Sequence, residues 1–418
     1  MLNRRQLMKT SAAALAAGAL PRRARADVAR RDLRFIFVQV FGGWDPTRVF
    51  APVFDNSGVD MEPNAELATL GDLSWVHHAD RPSVTSFLEL HQNRTLFVNG
   101  LVVPSVNHRI CLKLAMSGSN IEAAPDWPTA IAAAVESDTL GLPHVIIGGY
   151  GLPGQLSASA VRVGENGQVK NLLSGELLQW SDLPTSGAPS GFEGALDAAV
   201  LDVTRARADT SPYPRAQQLY GAYASALARS DTMKGLRDAV AWDTDGSFES
   251  QVDLAVDLLS IGMSRCVTVA FARPTWDSHQ DNDDKQSDNF EDLFAALGYL
   301  MDEMAVAPGV NAPTLADETV VVVISEMGRT PQLNSGYGKD HWQHTSVMLV
   351  GPGITGGRVV GGYDSLFYGR RLDPASAELA SGGVELTTPN FGATLLALAD
   401  VDPGTWLPDD TPIEGMLT

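Results

Sequence analysis

The chain has 418 residues, of which 44% are hydrophobic and 19% charged, so it can bury a sizeable core and is not a largely disordered protein. Asp and Glu number 50 against 30 Lys and Arg, which gives a formal net charge of -20. A field this negative repels phosphate backbones and argues against nucleic acid as a partner, while it suits an exported protein or one that collects divalent cations.

The first 26 residues have the composition of an export signal. The pair Arg4-Arg5 precedes a weakly apolar, Ala-rich run, and Ala24-Arg25-Ala26 offers a small-x-small cleavage site. This pattern resembles a twin-arginine signal and makes the twin-arginine export machinery a partner. The alternative is a cytosolic chain with a basic N-terminal helix. The run is too short to span a bilayer, and no other apolar run approaches the roughly 20 residues required. We therefore expect a periplasmic or secreted protein with no stable membrane anchor, exported already folded.

Apolar runs and helical periods alternate along the rest of the chain. Runs bounded by Gly or Pro predict buried strands at 33–41, 95–103, 144–147, 266–272, 319–324 and 346–350. Helical patterns fall at 83–91, 109–116, 126–136, 214–228, 249–263, 289–305 and 388–399. This alternation indicates an α/β doubly wound sheet. Residues 157–207 are rich in Gly, Ser and Pro, and we interpret them as an insertion or lid within a domain over 27–418.

The cysteines Cys111 and Cys266 do not form a C-x-x-C pair. A disulfide is allowed in an exported protein, but buried free thiols are the commoner state. No chemistry is assigned to them.

Acidic and histidine side chains recur directly after the predicted strands. Four of the eight histidines lie there, and carboxylates mixed with imidazoles are the ligand set for zinc, manganese or magnesium. Asp277 and His279 can project from one loop. Asp340 and His341 are adjacent, so one could bind an ion directly while the other supports it from behind. A lone Asp is more often a helix cap, so it is the recurrence at strand ends that predicts a site. The four histidines are His108, His279, His341 and His344.

The order of these segments resembles a known family. Strand ends reading GGWD, PSVNH, WDSH and SEMGRTP are followed by GKDHWQH and by a C-terminal TTPNFGATLLALADV helix. This is similar to the exported bacterial family called domain of unknown function 1501, which itself is similar to the alkaline phosphatase and sulfatase superfamily. The resemblance runs from about 33 to 402 and is weakest over 157–207. It implies an alkaline phosphatase-like three-layer sandwich with a mostly parallel central sheet.

The resemblance also implies a divalent metal site. Asp45, Asp277, His279, Glu326 and His341 occupy positions similar to the metal-binding residues of the superfamily. Met327 stands where a histidine ligand commonly follows, and Asp340 or His344 could replace the missing ligand.

The resemblance places the nucleophile near the start of a helix after an early strand, where free N–H groups stabilise anions. Ser105 is the nearest hydroxyl, and Asn107 resembles an asparagine that accompanies the nucleophile in related enzymes. Helix capping is the alternative for both residues. Arg329 could bind an anionic substrate oxygen or instead pair with a local carboxylate.

These residues lead us to expect a metal-dependent hydrolase or transferase that acts on an anionic phosphate or sulfate ester. A non-catalytic binding or assembly protein on the same fold, with a degraded site, is the alternative. A protein whose metal is purely structural is a third possibility.

Overall fold

A computed structural model of the protein describes residues 28–135, 140–163, 190–236, 239–242 and 244–418. The strands are β1 Arg34–Val40, β2 Glu66–Leu70, β3 Leu73–His77, β4 Thr95–Val102, β5 His144–Ile146, β6 Ala160–Arg162, β7 Cys266–Phe271, β8 Thr319–Ser325, β9 Gly328–Arg329, β10 His341–Trp342, β11 His344–Val350 and β12 Arg358–Gly361. The α-helices are α1 Pro82–His91, α2 His108–Ser117, α3 Trp127–Ala133, α4 Ser190–Thr210, α5 Pro214–Leu236, α6 Phe248–Ser260, α7 Asn282–Val306 and α8 Thr388–Leu398.

Eight of the strands form one sheet in the order β12-β4-β11-β8-β1-β7-β5-β6. β1 pairs in parallel with both of its neighbours, so that Phe35 lies beside Cys266 on one side and Val320 on the other. β11 is antiparallel to both β4 and β8, and every other pairing in the sheet is parallel. The start of β11 therefore lies at the edge where the parallel strands end.

Helices cover both faces of this sheet. Phe35 and Phe37 of β1 pack into a core with α2, α3 and α8. Ile36 and Val38 point to the other face, where they join a core with α1, α6 and α7. Alternate residues of one strand thus serve two cores, which explains why the sequence of β1 is continuously apolar. The predicted three-layer α/β class with a mostly parallel sheet is confirmed.

Several elements differ from the sequence prediction. α7 begins at Asn282, seven residues before its apolar period, because its first two turns bury the polar side chains of Gln286 and Ser287. β2 and β3 form a separate hairpin that pattern reasoning missed, since β2 is half-exposed and lacks a continuous apolar run. β9 and β10 form a short ribbon beside the strand ends.

The predicted export signal over 1–26 lies outside the described residues. So does part of the predicted insertion, over 164–189. The described parts of the segment 157–207 contain β6, which adds a strand to the main sheet, and most of α4. The domain boundaries remain a prediction. Among the described residues, no helix has the length and apolar character needed to cross a bilayer.

Candidate metal centre

The loops that follow β4 and β7 and the segment that precedes β11 meet at one edge of the sheet. They bring together ligand atoms of His108, Asp277 and His341, which all lie within 4.8 Å of one another. His279 joins them, because its Nε2 lies 3.1 Å from Nε2 of His341 and 3.2 Å from Oδ1 of Asp277. We call these four side chains the His-Asp cluster. All of them are partly exposed to solvent.

The spacing within the cluster matches a compact metal site. Nε2 of His341 lies 3.2 Å from Oδ1 of Asp277, so three ligand atoms form a near-equilateral triangle. Ligands at the usual zinc distances and tetrahedral angles are separated by about 3.3 Å. His108 completes the set, with Nε2 3.6 Å from Oδ2 of Asp277.

Each of the three imidazoles is held through its Nδ1 atom. Nδ1 of His108 lies 2.7 Å from Glu326, and Nδ1 of His279 lies 2.9 Å from Asp340. Nδ1 of His341 contacts the backbone carbonyl of Val106 at 2.8 Å. Carboxylates and carbonyls accept hydrogen bonds, so each Nδ1 is the protonated nitrogen and each Nε2 carries the lone pair. This is the arrangement that fixes metal-binding histidines in known sites.

Asp277 is the protein partner of two inward-facing nitrogens, since its Oδ1 lies 3.2 Å from Nε2 of His279 and 3.2 Å from Nε2 of His341. Nε2 of His108 is buried and makes no hydrogen bond with any described residue. Nε2 of His279 and Nε2 of His341 face each other as two lone pairs, which repel unless a proton or a cation lies between them. The donor set, which combines imidazoles with a carboxylate, therefore fits a divalent cation.

Charge at the cluster is set by two buried neighbours. Burial favours the neutral acid of Asp277, but its hydrogen bond and ion pair with Arg329 hold the pKa at about 2. The hydrogen bond from His108 to Glu326 outweighs burial and raises the pKa of His108. Asp277 is therefore an anion across the neutral range, as a metal-binding carboxylate must be.

Glu326 holds His108 through the ring nitrogen that faces away from the cluster. Its side chain is buried, and Oε1 accepts hydrogen bonds from His108 and from the backbone N–H of Gly42 at 2.9 Å. Oε2 accepts from the Ser325 hydroxyl. Both oxygens are thus engaged, and the structure places Glu326 where it orients His108.

Arg329 is fully buried and joins three loops. Its guanidinium binds Asp277 at 2.6 Å and donates to the backbone carbonyls of Gly42, Gly43, Trp276 and Lys339. Of its two predicted roles, the geometry corresponds to pairing with a local carboxylate. The loop after β1 can approach this closely because Gly42 has a φ of +117° and an added Cβ would lie 2.6 Å from Cβ of Trp276.

Asp45 lies deeper in the protein, outside the His-Asp cluster. Its carboxylate is fully buried and pairs with the ammonium of Lys339 at 2.8 Å, with Arg48 at 3.6 Å. Asn282 and Thr47 also donate to it. Burial opposes ionisation, but the two cations hold the pKa of Asp45 well below its usual range. The positive charge that balances Asp45 is therefore supplied by the side chains of Lys339 and Arg48.

His344 also lies outside the cluster. It is buried within β11, and its Nδ1 accepts a hydrogen bond from the backbone N–H of Gly369 at 3.0 Å. Burial lowers the pKa of His344 to about 4, so the ring is neutral at pH 7.

Ser105 and Asn107 form the turn that leads into α2. Oδ1 of Asn107 accepts from the backbone N–H of Ile110 at 3.2 Å, which caps the helix. Oγ of Ser105 accepts from the N–H of Asn107 at 3.2 Å. The same helix carries Cys111, whose thiol is free and buried, as is that of Cys266. Burial raises the pKa of Cys111 to about 11.

His108 was recognised as a strand-end histidine but was not assigned to the site. The signal was its place at the first turn of the helix after β4, directly after the capping residue. The carbonyl of Val106 carries no sequence signal, because any residue supplies a carbonyl.

Comparisons with known proteins agree with parts of the sequence analysis. Residues 199–402 match the model of the family described as protein of unknown function (DUF1501), and residues 1–21 match the twin-arginine translocation signal. The suspected resemblance to this family and the export signal are thereby confirmed, and the chain is directed to the periplasm or beyond. No curated protein matches the sequence.

Three solved structures to which this chain is similar are the following. The lipoteichoic acid synthase LtaP from Listeria monocytogenes has a TM-score of 0.44 at 10% identity, covering 98% of this chain and 82% of that chain. A protein in the alkaline phosphatase superfamily from Vibrio parahaemolyticus has a TM-score of 0.36 at 11% identity, covering 96% and 76%. BT4656, solved with its substrate D-glucosamine-2-N,6-O-disulfate, has a TM-score of 0.32 at 10% identity, covering 91% and 81%.

Proposed function

We propose that this protein, which carries an export signal and a region that matches the DUF1501 model, is an exported metal-dependent hydrolase or transferase that acts on a phosphate or sulfate ester. The observation that carries this proposal is the convergence of three Nδ1-anchored imidazoles and one ionised carboxylate at a solvent-accessible edge of the sheet. A purely structural metal site is usually closed, whereas a catalytic site leaves a position for substrate.

His108, Asp277, His279 and His341 would hold the ion. A bound divalent cation would supply Lewis acidity toward a phosphoryl or sulfuryl oxygen, which is the chemistry such esters require. Glu326 and Asp340 keep two of the imidazoles in the tautomer that presents Nε2, while Arg329 keeps Asp277 ionised.

Ser105 is the proposed nucleophile. It precedes Val106, whose carbonyl contacts His341, so the hydroxyl lies in the segment that lines the cluster. Oγ of Ser105 accepts from the N–H of Asn107, and its hydroxyl also forms a hydrogen bond with the Cys111 thiol, so as a nucleophile it would have to exchange that contact for one with a base.

The first experiment is metal analysis of protein purified through its own export route, followed by turnover assays with 4-nitrophenyl phosphate and 4-nitrophenyl sulfate. We expect about one equivalent of a divalent metal, in keeping with a single four-ligand cluster. Asp277→Asn should lose the metal and lower turnover by roughly 100-fold or more, since it removes a ligand and its charge. Asp209→Asn, an exposed carboxylate on α4, is the matched control.

A folded wild-type protein that binds no divalent metal would contradict the proposal. So would an Asp277→Asn variant that retains full turnover.

A binding or assembly protein on the same fold is the second candidate. It is favoured by Met327, which is fully buried in the core and cannot act as a ligand, and by Asp45, whose charge is neutralised internally. Metal binding without turnover of either ester class would favour this candidate.

A further inference from the structure

A groove of about 390 Å³ runs along one face of α2, the helix whose first residue is His108 of the His-Asp cluster. One wall is a stripe on the helix formed by Arg109, Lys113 and Ser117, which are spaced by four residues and so lie on the same helical face. The opposite wall consists of the segments 121–124 and 151–154. The helical stripe spans nine residues, Arg109 to Ser117, and about 12 Å along the helix axis.

The groove is lined by two cations, Arg109 and Lys113, and by one carboxylate, Glu122, so it carries a net positive charge. Arg109 is exposed, and no described residue forms an ion pair or hydrogen bond with its side chain. Lys113 has one weak ionic contact, 3.9 Å from Glu122, a side chain that is 92% exposed. In a chain with a net charge of -20, two cations in one groove are the opposite of the average surface.

The groove and the candidate metal centre share one element. His108 and Arg109 are consecutive residues in the first turn of α2, so their Cα atoms lie about 3.8 Å apart, and a molecule whose ester lies at the cluster can reach Arg109 around this turn. The walls are also partly apolar, with Ile121 70% exposed and Leu152 and Pro153 alongside. This combination suits an organic group that bears a negative charge.

We propose that this groove binds the non-reacting part of the substrate, and that this part carries a second anionic group. The substrate class is therefore a polyanionic ester with one phosphate or sulfate at the cluster and another acidic group beside Arg109 and Lys113. The inference rests on the proposed function, whose substrate it specifies.

The test uses matched pairs of small esters. Phenyl phosphate and phenyl sulfate carry one anionic group, and 4-carboxyphenyl phosphate and 4-carboxyphenyl sulfate carry a second one. For the pair that is turned over, we compare kcat/KM with and without the carboxylate. The wild-type protein should prefer the carboxylated ester, and Arg109→Gln should reduce that preference about tenfold by a rise in KM, since one charge-assisted hydrogen bond is lost.

Lys113→Gln should act in the same direction, and the double variant should abolish the preference. Arg215→Gln, which removes an exposed cation from α5, should leave the preference unchanged. An equal loss in Arg109→Gln and Arg215→Gln would show only the effect of net charge and would overturn the proposal. A preference that survives in the double variant would overturn it as well.

A binding measurement separates this inference from the proposed function. Calorimetric titration of the metal-loaded protein with 4-carboxyphenyl phosphate and phenyl phosphate reports the groove without requiring turnover. In one outcome, the protein binds the carboxylated compound more tightly, loses that advantage in Arg109→Gln, and hydrolyses neither compound. That result would contradict the proposed hydrolase activity but support the proposed role of the groove. Equal binding of both compounds would overturn the groove.

Discussion

Asp45 and Lys339 form a buried ion pair whose two partners depend on each other. Both side chains are fully buried, and Lys339 also donates to Oγ1 of Thr47 at 3.1 Å. Lys339 directly precedes Asp340 and His341, so the pair anchors the segment that delivers two site residues.

Breaking this pair should be costly. Removing one partner of a buried ion pair leaves an unpaired charge and typically costs about 3–5 kcal/mol. We therefore expect Asp45→Asn or Lys339→Met to lower the free energy of unfolding by about this amount, measured by urea denaturation.

The double variant Asp45→Asn/Lys339→Met distinguishes an anchor from a ligand. It should be more stable than the sum of the single changes predicts, because the two opposite charges are removed together and Arg48 keeps its ion pair with Asp283. It should also keep its metal if Asp45 only anchors the loop. Loss of metal from a stable double variant, with metal retained by Lys339→Met alone, would identify Asp45 as a ligand.

His344 should make the protein less stable in mild acid. Its folded pKa of about 4 lies below the unfolded value of 6.5, so the unfolded state binds the extra proton first. The stabilisation from the neutral ring is complete above pH 6.5 and is lost as the pH falls toward 4. The full difference corresponds to about 3 kcal/mol.

The comparison with His344→Gln isolates this effect. Asp364 and the ring of Tyr368 lie near His344 in both proteins, so their contributions largely cancel in the difference. Urea unfolding between pH 7 and 4 should show that the free energy of unfolding falls less steeply for His344→Gln than for the wild-type protein. Parallel curves for the two proteins would contradict the expectation.

Part of the site could be predicted from single residues, because acidic and histidine side chains recur directly after the strands. Asp277, His279 and His341 follow from that rule, and they meet in the structure. The supporting roles of Glu326 and Asp340 do not follow from residue type, because a carboxylate behind an imidazole and one facing an ion look alike in sequence. Their roles depend on distances of a few ångströms.

α2 is the element on which the candidate site and the groove both depend. It begins with the Asn107 cap and ends at Gly118, whose φ of +64° permits the left-handed turn that closes the helix. Its first turn carries His108, so fraying of this end would move an imidazole out of the cluster.

The cap can be tested separately from any chemical role. Asn107→Ala should lower the free energy of unfolding by about 1 kcal/mol, because the N–H of Ile110 loses its acceptor. Asn107→Ser should restore most of it, since serine caps equally well. Thermal or urea unfolding of both variants measures the difference. If the serine variant is stable but inactive, Asn107 takes part in chemistry.

The elements that sequence predicted best are those with the simplest environments. β1, β7 and β8 are buried on both faces, so their apolar runs are unbroken. β6 and β12 are short and half-exposed, and nothing in their composition separates them from loops. The antiparallel direction of β11 is a tertiary property that no local pattern contains.

At the scale of the whole molecule, the sheet and the cluster are tied together by contacts between distant parts of the chain. His108 and Glu326 are 218 positions apart, and Val106 and His341 are 235 apart. Within the cluster itself, only Asp277 and His279 are close in sequence. An unfolded or partly synthesised chain therefore presents at most a two-residue fragment of the site, which binds metal weakly.

The identity of a bound metal would then depend on the compartment in which the protein folds. Proteins of the twin-arginine pathway cross the membrane after folding, so the cluster would form in the compartment of synthesis, and a metal that it binds would come from the ions available there. Replacing residues 1–26 with a signal for unfolded export should change the metal found in the purified protein. The same metal from both routes would show that the cluster, and not the compartment, makes the selection.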